Sequence, residues 1–510
     1  MRGVRWVEMV LVASFPLVGV VAASSVSATQ AASRSASGAV RFVAGSTQEV
    51  CQLTGQTDYE TGQLTSSETQ TRYGLTAADE GSSFEFDGNL WWLFGDALAT
   101  PTFGGMPNRK NRYPASGLYN DAIAHSSLTT PPSTCPTLDF VPQPSEPGVD
   151  PPIAAGAFTN PTLFIGSDVP VSLRTNEAPE AGIEVNGQMY VVFKTGNEKT
   201  ETGNTLLPSV STESVMGELA SPDILHFEAL YDLSAPSTPF TAGAKFVNVA
   251  LAASVAGDGY IYIWGAGPTG SGQTLSATGG PLYLARMRAS AIAGIPGPHN
   301  AIGQPPQIDY YAGSTAKGKP KWVSNDEGDA VGLFSDKPAD CMHTFGVQWN
   351  QYVGRWVVLY DCRESTPGHP AGIYMRTAAQ PWGRWSSPQT IFNPKPNAKA
   401  KTGYCYFIYA RPKSYTCPAG SDNARLQSAP SPGHGNPGAN GTYYGTYFVA
   451  NWTTGHTATE SLPATSTFYY TLDTYWPYGQ VILHSTIDGP TPPKAPPKPG
   501  PPKCKGTKCM

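Results

Sequence analysis

Charge is scarce in this chain. Asp, Glu, Lys and Arg make up 14% of its 510 residues, and the net charge is −5. No basic excess marks a nucleic-acid partner, which would show as clustered Lys and Arg. Long apolar runs are missing after the N-terminus, so no later segment reads as a membrane span. Amphipathic helical patterns are nearly absent; MRASAIAGI (287–295) is the best short candidate. There is no CxxC pair and no HExxH, hence no zinc signature. No GxSxG precedes a helix, which removes the nucleophile elbow of Ser-His-Asp hydrolases. GPTGSGQ (267–273) is Gly-rich, but it lacks GK[ST] and does not read as a phosphate cradle.

Turn residues and aromatics are plentiful: 54 Gly, 48 Pro and 11% Phe, Trp and Tyr. This balance suits a turn-rich β architecture. Length alone suggests two to four domains, but all-β propellers and barrels run long as single domains. Arg2 and Arg5 precede an apolar stretch, Met9 to Ala23, followed by small residues. That order reads as a secretory signal over 1–28, cut after Ala28 or Ala23, and implies a secreted, extracellular protein. The cysteine count, 8, is even and fits an oxidising compartment. Cys341/Cys362 and Cys405/Cys417 are the expected local pairs, Cys504/Cys509 closes a tail loop, and Cys51 and Cys135 remain for each other. Composition assigns 29–47 to a disordered Ser/Ala-rich segment, 48–486 to one domain, and 487–510 to a disordered Pro/Lys-rich tail. Asn440-Gly-Thr and Asn451-Trp-Thr are glycosylation sequons.

One theme recurs between the ends. A turn leads into an aromatic-aliphatic strand: Asp87-Gly88 then NLWWLFGD, Asn186-Gly187 then QMYVVFKTG, Asp258-Gly259 then YIYIWGAG, and Asn350 to Gly354 then RWVVLYDC. YYGTYFVANW (443–452) with FYYTLDTYW (468–476) is a looser fifth copy. Five hairpin units suggest an all-β, five-bladed β-propeller. A pair of packed sheets is the alternative, but it does not account for the recurrence.

The first hairpin carries the chemistry. Asp and Gly tolerate the positive φ that a two-residue turn needs. If Asp87-Gly88 is the loop, Phe86 faces Asn89, Phe84 faces Trp91, and Asp79 faces Asp96. Like charges placed opposite each other cost stability, so the fold gains nothing from that pair. Glycoside hydrolysis does need two carboxylates flanking a bond, one as general base or nucleophile and one as general acid. Whether such a pair inverts or retains stays open. A carboxylate that caps a strand or ties the ring closed is the plain alternative.

The run LFGD, NDAIAHSS, PLYLARM, QWNQYVGRWVVLY, GIYMRTAAQPWGRWSSP and YYTLDTYWPYGQVILHS resembles a bacterial five-bladed propeller family. That family, long a domain of unknown function, is associated with secreted endo-D-arabinanases. The resemblance covers roughly 72–486 and implies Asp79 and Asp96 as catalytic residues. It departs in the fourth blade, where Thr344 takes the place of an expected Glu. The substrate class implied is an arabinofuranose polysaccharide.

Other candidates come from position. Asp121, after Asn120 at a strand start, orients the acid or binds a sugar hydroxyl; a turn-forming Asn-Asp pair is the alternative. Glu180 pairs with Phe193 by hairpin arithmetic and supplies a spare carboxylate. His343 lies beside the Thr344 departure and is a ligand-contact candidate. Trp452 and Tyr478 are candidates for stacking on sugar, with burial between blades the alternative for Trp452. No organic cofactor is implied, and no ligand motif for calcium stands in the sequence. The expected protein is a monomer. Competing functions are a non-catalytic carbohydrate-binding propeller and an exo-acting or sialidase-like enzyme.

Overall fold

The computed structural model describes residues 39–58, 61–99, 120–127, 131, 135–142, 158–166, 169–171, 173, 177–195, 213–235, 244–267, 281–298, 301–334, 342, 344–362, 372–392, 443–459, 461–475 and 478–489. Two short strands come first, β1 (Arg41–Phe42) and β2 (Gln48–Gln52), then a single helical turn, α1 (Thr69–Tyr73). The first blade holds β3 (Leu75–Phe86), β4 (Asn89–Ala99), β5 (Asn120–Ser126) and β6 (Asp139–Phe140). The second holds β7 (Thr162–Ile165), β8 (Val169–Val171), β9 (Ala178–Val185), β10 (Gln188–Thr195), β11 (Glu213–Ser221) and β12 (His226–Ser234). The third runs β13 (Asn248–Ala253), β14 (Tyr260–Ala266), β15 (Tyr283–Arg288), β16 (Ile308–Ser314) and β17 (Pro320–Ser324). The fourth runs β18 (Phe345–Asn350), β19 (Arg355–Cys362), β20 (Gly372–Ala378) and β21 (Gln389–Phe392). The fifth contains β22 (Tyr443–Tyr444), β23 (Phe448–His456), β24 (Thr465–Tyr475) and β25 (Tyr478–Asp488).

Among the described residues these strands form five sheets. Their inner strands touch in the order β3, β9, β13, β18, β23, and β23 returns to β3. The chain is a five-bladed β-propeller. Its last blade is completed from the other end of the sequence, because β1 and β2 both pair with β25. The ring therefore begins at Arg41, inside the stretch that composition assigns to a disordered segment. Pairing to β25 decides there, not local composition. The Cys51–Cys135 disulfide ties β2 to the first blade across the same seam. Cys362 is also disulfide-bonded; Cys341, Cys405, Cys417, Cys504 and Cys509 lie outside the described residues. MRASAIAGI keeps only a 3-10 turn, Ala289–Ala291, after β15.

The packing explains why the central strands are apolar at successive positions. Alternate side chains of a strand point to opposite faces, and here both faces are covered. In β4, Trp92 and Phe94 pack on Val449, Trp452 and Ile482 of the fifth blade. Trp91 and Leu93 pack the other way, on Met189, Val191 and Phe193 of the second. The remaining seams carry their own clusters, so the core is a set of blade-to-blade layers. Trp92, Trp264, Trp356 and Trp452 are fully buried in these layers. Each is worth about 3–5 kcal/mol if cut back to Ala.

Candidate active site

The hairpin turns form as the sequence predicts: Asp87 and Gly88 have φ of 48° and 72°, and Asn186 and Gly187 of 54° and 79°. Phe86 pairs with Asn89, and Phe84 with Trp91. The predicted facing of Asp79 and Asp96 does not survive. Asp79 stands opposite Gly95, because the register slips between Glu80 and Ser82. Glu80 and Gly81 both take positive φ, 66° and 70°, and make a bulge. A second slip follows in β4, where Asp96 has φ of 40°. A regular strand would turn Asp79 and Glu80 to opposite faces. The bulge aims both at one place. A Cβ on Gly95 would stand 3.1 Å from Glu80 Cδ and 3.2 Å from Asp79 Oδ1.

The same device recurs next door. Phe193 pairs with Pro179, not Glu180, because the ladder slips at Val192/Phe193. Glu180 is thus the extra residue of a bulge, and its carboxylate turns to Lys194, 3.0 Å from Oε2. Lys194 on β10 is also ion-paired with Glu80 Oε1. Burial disfavours the ammonium, but Glu180 and Glu80 outweigh it and hold Lys194 above its ordinary value. Tyr447 completes the group with an OH donated to Glu180 Oε1 at 3.3 Å.

The buried acids are raised together. Burial pushes the Asp79 carboxyl up to about 7, and the charge of Asp96 adds to it. Hydrogen bonds from Tyr444 and Tyr478 and the charge of Lys194 pull the other way. Tyr444 OH lies 2.7 Å from Asp79 Oδ2. Glu80 is raised as well: burial pushes it up, Lys194 pulls it down, and Glu180 and Asp79 push it up again. Asp96 is only partly buried, the more open of the two predicted acids. A buried acid that keeps its proton near neutrality beside a more open acid suits proton donation to a leaving group.

The other predicted residues fall differently. Asp121, on β5, is 3% exposed, and among the described residues neither oxygen has a hydrogen-bond partner. Burial, then the charges of Asp96, Glu80 and Asp79, hold it well above the usual carboxylate range. It is buried within charge range of Asp96, Glu80 and Asp79. Tyr478 is buried and donates to the Asp96 carbonyl at 2.9 Å, so it braces the second acid and offers no ring face for stacking. Trp452 is fully buried, edge-on to Trp92 at 6.1 Å and to Tyr469 at 5.8 Å. The expected sugar contact at Trp452 is therefore corrected to inter-blade core. His343 lies outside the described residues.

Thr344 does not leave the fourth blade without an acid. Its N–H donates to Asp361 Oδ1 at 2.9 Å, and its hydroxyl bonds the same oxygen. Asp361, from β19, is fully buried. Glu80, Lys194, Asp361 and Asp473 are the polar members that hairpin arithmetic does not single out. Three of them carry one signal: a charged residue closing an apolar strand, in VVFKTG, VVLYDC and TLDTYW.

A cavity of about 530 Å³ is lined by the inner strands of all five blades and reaches Glu180 and Tyr447, while Asp79 and Asp96 do not line it. Ser82, Glu180, Val249, Phe345 and Tyr447 line it, and so do Glu85, Glu184, Gln351 and Asn451 near the hairpin turns. Among the described residues no three His, Cys, Asp or Glu side chains converge as metal ligands would.

The chain belongs to the DUF4185 family, a domain of unknown function, whose pattern matches residues 65–431. No curated protein matches the sequence. Solved structures resemble it at low identity. A protein of Bacteroides ovatus ATCC 8483 is 13% identical over 82% of this chain and 87% of its own, with a TM-score of 0.44. The GH43_1 enzyme from Xanthomonas citri is 11% identical over 81% and 87%, with a TM-score of 0.34. The α-L-arabinofuranosidase PaAbf62A from Podospora anserina is 8% identical over 88% and 99%, with a TM-score of 0.34.

Proposed function

We propose that this DUF4185 member is an exported glycoside hydrolase that cuts a furanose-containing polysaccharide, with D-arabinan the substrate class. One observation carries the reading: Asp79 is buried and raised to about 7, coupled by charge to the more open Asp96. The motifs shared with endo-D-arabinanases supply the substrate class.

In this mechanism Asp79 holds a proton below about pH 7 and passes it to the glycosidic oxygen as the bond breaks. Asp96 acts at the anomeric carbon, directly or through water. Tyr444 and Tyr478 hold the two acids in place through Asp79 Oδ2 and the Asp96 carbonyl. Lys194 is ion-paired with both Glu80 and Glu180, which offsets part of the buried negative charge beside Asp79.

The test is release of reducing ends from purified arabinan. The unmutated protein gives a ladder of products, and Asp79→Asn and Asp96→Asn each lose about 10²–10⁴-fold of the rate. Binding without any new reducing ends, across several polysaccharides, would make the protein a carbohydrate-binding propeller. Monomer as the sole product would make it exo-acting.

A further inference from the structure

We propose that Asp473, on β24 of the fifth blade, is a positioning residue that fixes the bulge aiming Asp79 and Glu80. The inference rests on the hydrolase reading for its consequence in catalysis, though not for its geometry.

As innermost strand of its blade, β3 leaves backbone groups along one edge without a ladder partner. At Glu80 the fifth blade answers them. Glu80 N–H donates to Asp473 Oδ2 at 2.6 Å. Gln480 Nε2 donates to Asp473 Oδ1 at 2.7 Å and to the Glu80 carbonyl at 2.6 Å. Thr471 Oγ1 reaches the same carbonyl at 3.3 Å. The positive-φ residue that turns both acids inward is therefore held on its N–H and its C=O by a neighbouring blade.

Two glycines leave room for this clamp. A Cβ on Gly445 would stand 1.5 Å from Asp473 Oδ2, and one on Gly81 would stand 2.2 Å from Gln480 Nε2. Asp473 is fully buried. Burying a carboxylate is unfavourable, and a neutral side chain could answer one N–H at lower cost. What the carboxyl adds is two acceptors at a fixed spacing, one for the Glu80 N–H and one for Gln480. Burial and then Asp79 raise Asp473, while Gln480 and the Glu80 amide oppose the rise. The groups facing Asp79 are Asp96, Tyr444, Tyr478, Lys194, Glu80, Asp121 and Asp473.

Asp473→Asn keeps the shape but sets an amide N–H₂ against Gln480 Nε2. The expected result is a tenfold or larger fall in kcat on arabinan, KM changed less than twofold, and a displaced alkaline limb. NMR titration of the Asp79 carboxyl reads the same displacement without any substrate. It therefore separates failure of this inference from failure of the hydrolase reading. Should Asp473→Asn not fold, Gln480→Leu breaks the second link without touching a charge, and a tenfold fall in kcat at unchanged KM is expected there too. A folded Asp473→Asn protein whose Asp79 midpoint and kcat both match the unmutated protein overturns the proposal. So does a folded Gln480→Leu protein with full kcat.

Discussion

Tyr444 donates a 2.7 Å hydrogen bond to Asp79 Oδ2 across the seam where the last blade meets the first. The bond favours the ionised carboxylate and so lowers the Asp79 value against the push of burial. Tyr444→Phe removes that pull. The Asp79 value rises, so the pH at which activity falls off moves upward from about 7. The pH–rate profile on arabinan checks the direction.

Lys194 is the cation between two buried carboxylates, Glu80 and Glu180. Removing it strands both. Lys194→Met is expected to lose about 3–5 kcal/mol of stability, the usual loss when a buried pair is broken from one side. The triple change Lys194→Met, Glu80→Gln, Glu180→Gln removes the stranded charges and is expected to recover part of the loss. Denaturant unfolding of the two variants gives the comparison.

Asp121 gives a prediction with a definite sign. Its folded value is raised, so the native state holds a proton that the unfolded chain has released. Its contribution is fully present below the ordinary carboxylate value near 4 and is lost as pH rises through the raised folded value. Asp121→Leu, close in volume, removes an unpartnered buried carboxyl. Stability at pH 7 is expected to rise by about 1–3 kcal/mol. Its decline between pH 4 and pH 8 should become shallower than in the unmutated protein, as denaturant titrations at both ends would show.

The Cys51–Cys135 bridge spans 84 residues and joins the ring-closing β2 to the first blade. A loop of that length restricts the unfolded chain by roughly 4 kcal/mol. The double variant Cys51→Ser, Cys135→Ser is expected to unfold at lower denaturant by that amount. Activity should persist at low temperature, because β25 still pairs with β1 and β2 through backbone bonds.

Much of this architecture was readable before any coordinates. The turn dipeptides and the aromatic strands behind them marked four blades, because φ preference and two-sided burial are local properties. Ring closure was not readable: Arg41–Phe42 pairs with Ile487 and Asp488 at the far end of the chain. Hairpin arithmetic held from Asn89 to Leu93 and failed beyond, where Gly81 and Asp96 each interrupt the ladder. Those interruptions need Gln480 and Asp473 from the fifth blade, which no two-strand pattern contains. Asp79 and Asp96 were reached by an argument whose register was wrong by one residue. They still interact, because the charge of Asp96 helps to raise the Asp79 carboxyl. Trp452 was ambiguous because an aromatic on a strand can stack on sugar at the channel mouth or pack between blades; its ring packs against Trp92.

The most direct test of the mechanism varies the leaving group. An arabinofuranoside with a nitrophenol leaving group departs without protonation, whereas a sugar hydroxyl does not. If Asp79 is the general acid, Asp79→Asn cuts arabinan at least 100-fold more slowly yet keeps activity within about tenfold on the nitrophenyl substrate. Its rate on that substrate also no longer falls as pH rises through about 7. Equal loss on both substrates, with the fall near pH 7 intact in the variant, would contradict the assignment of Asp79 as the proton donor.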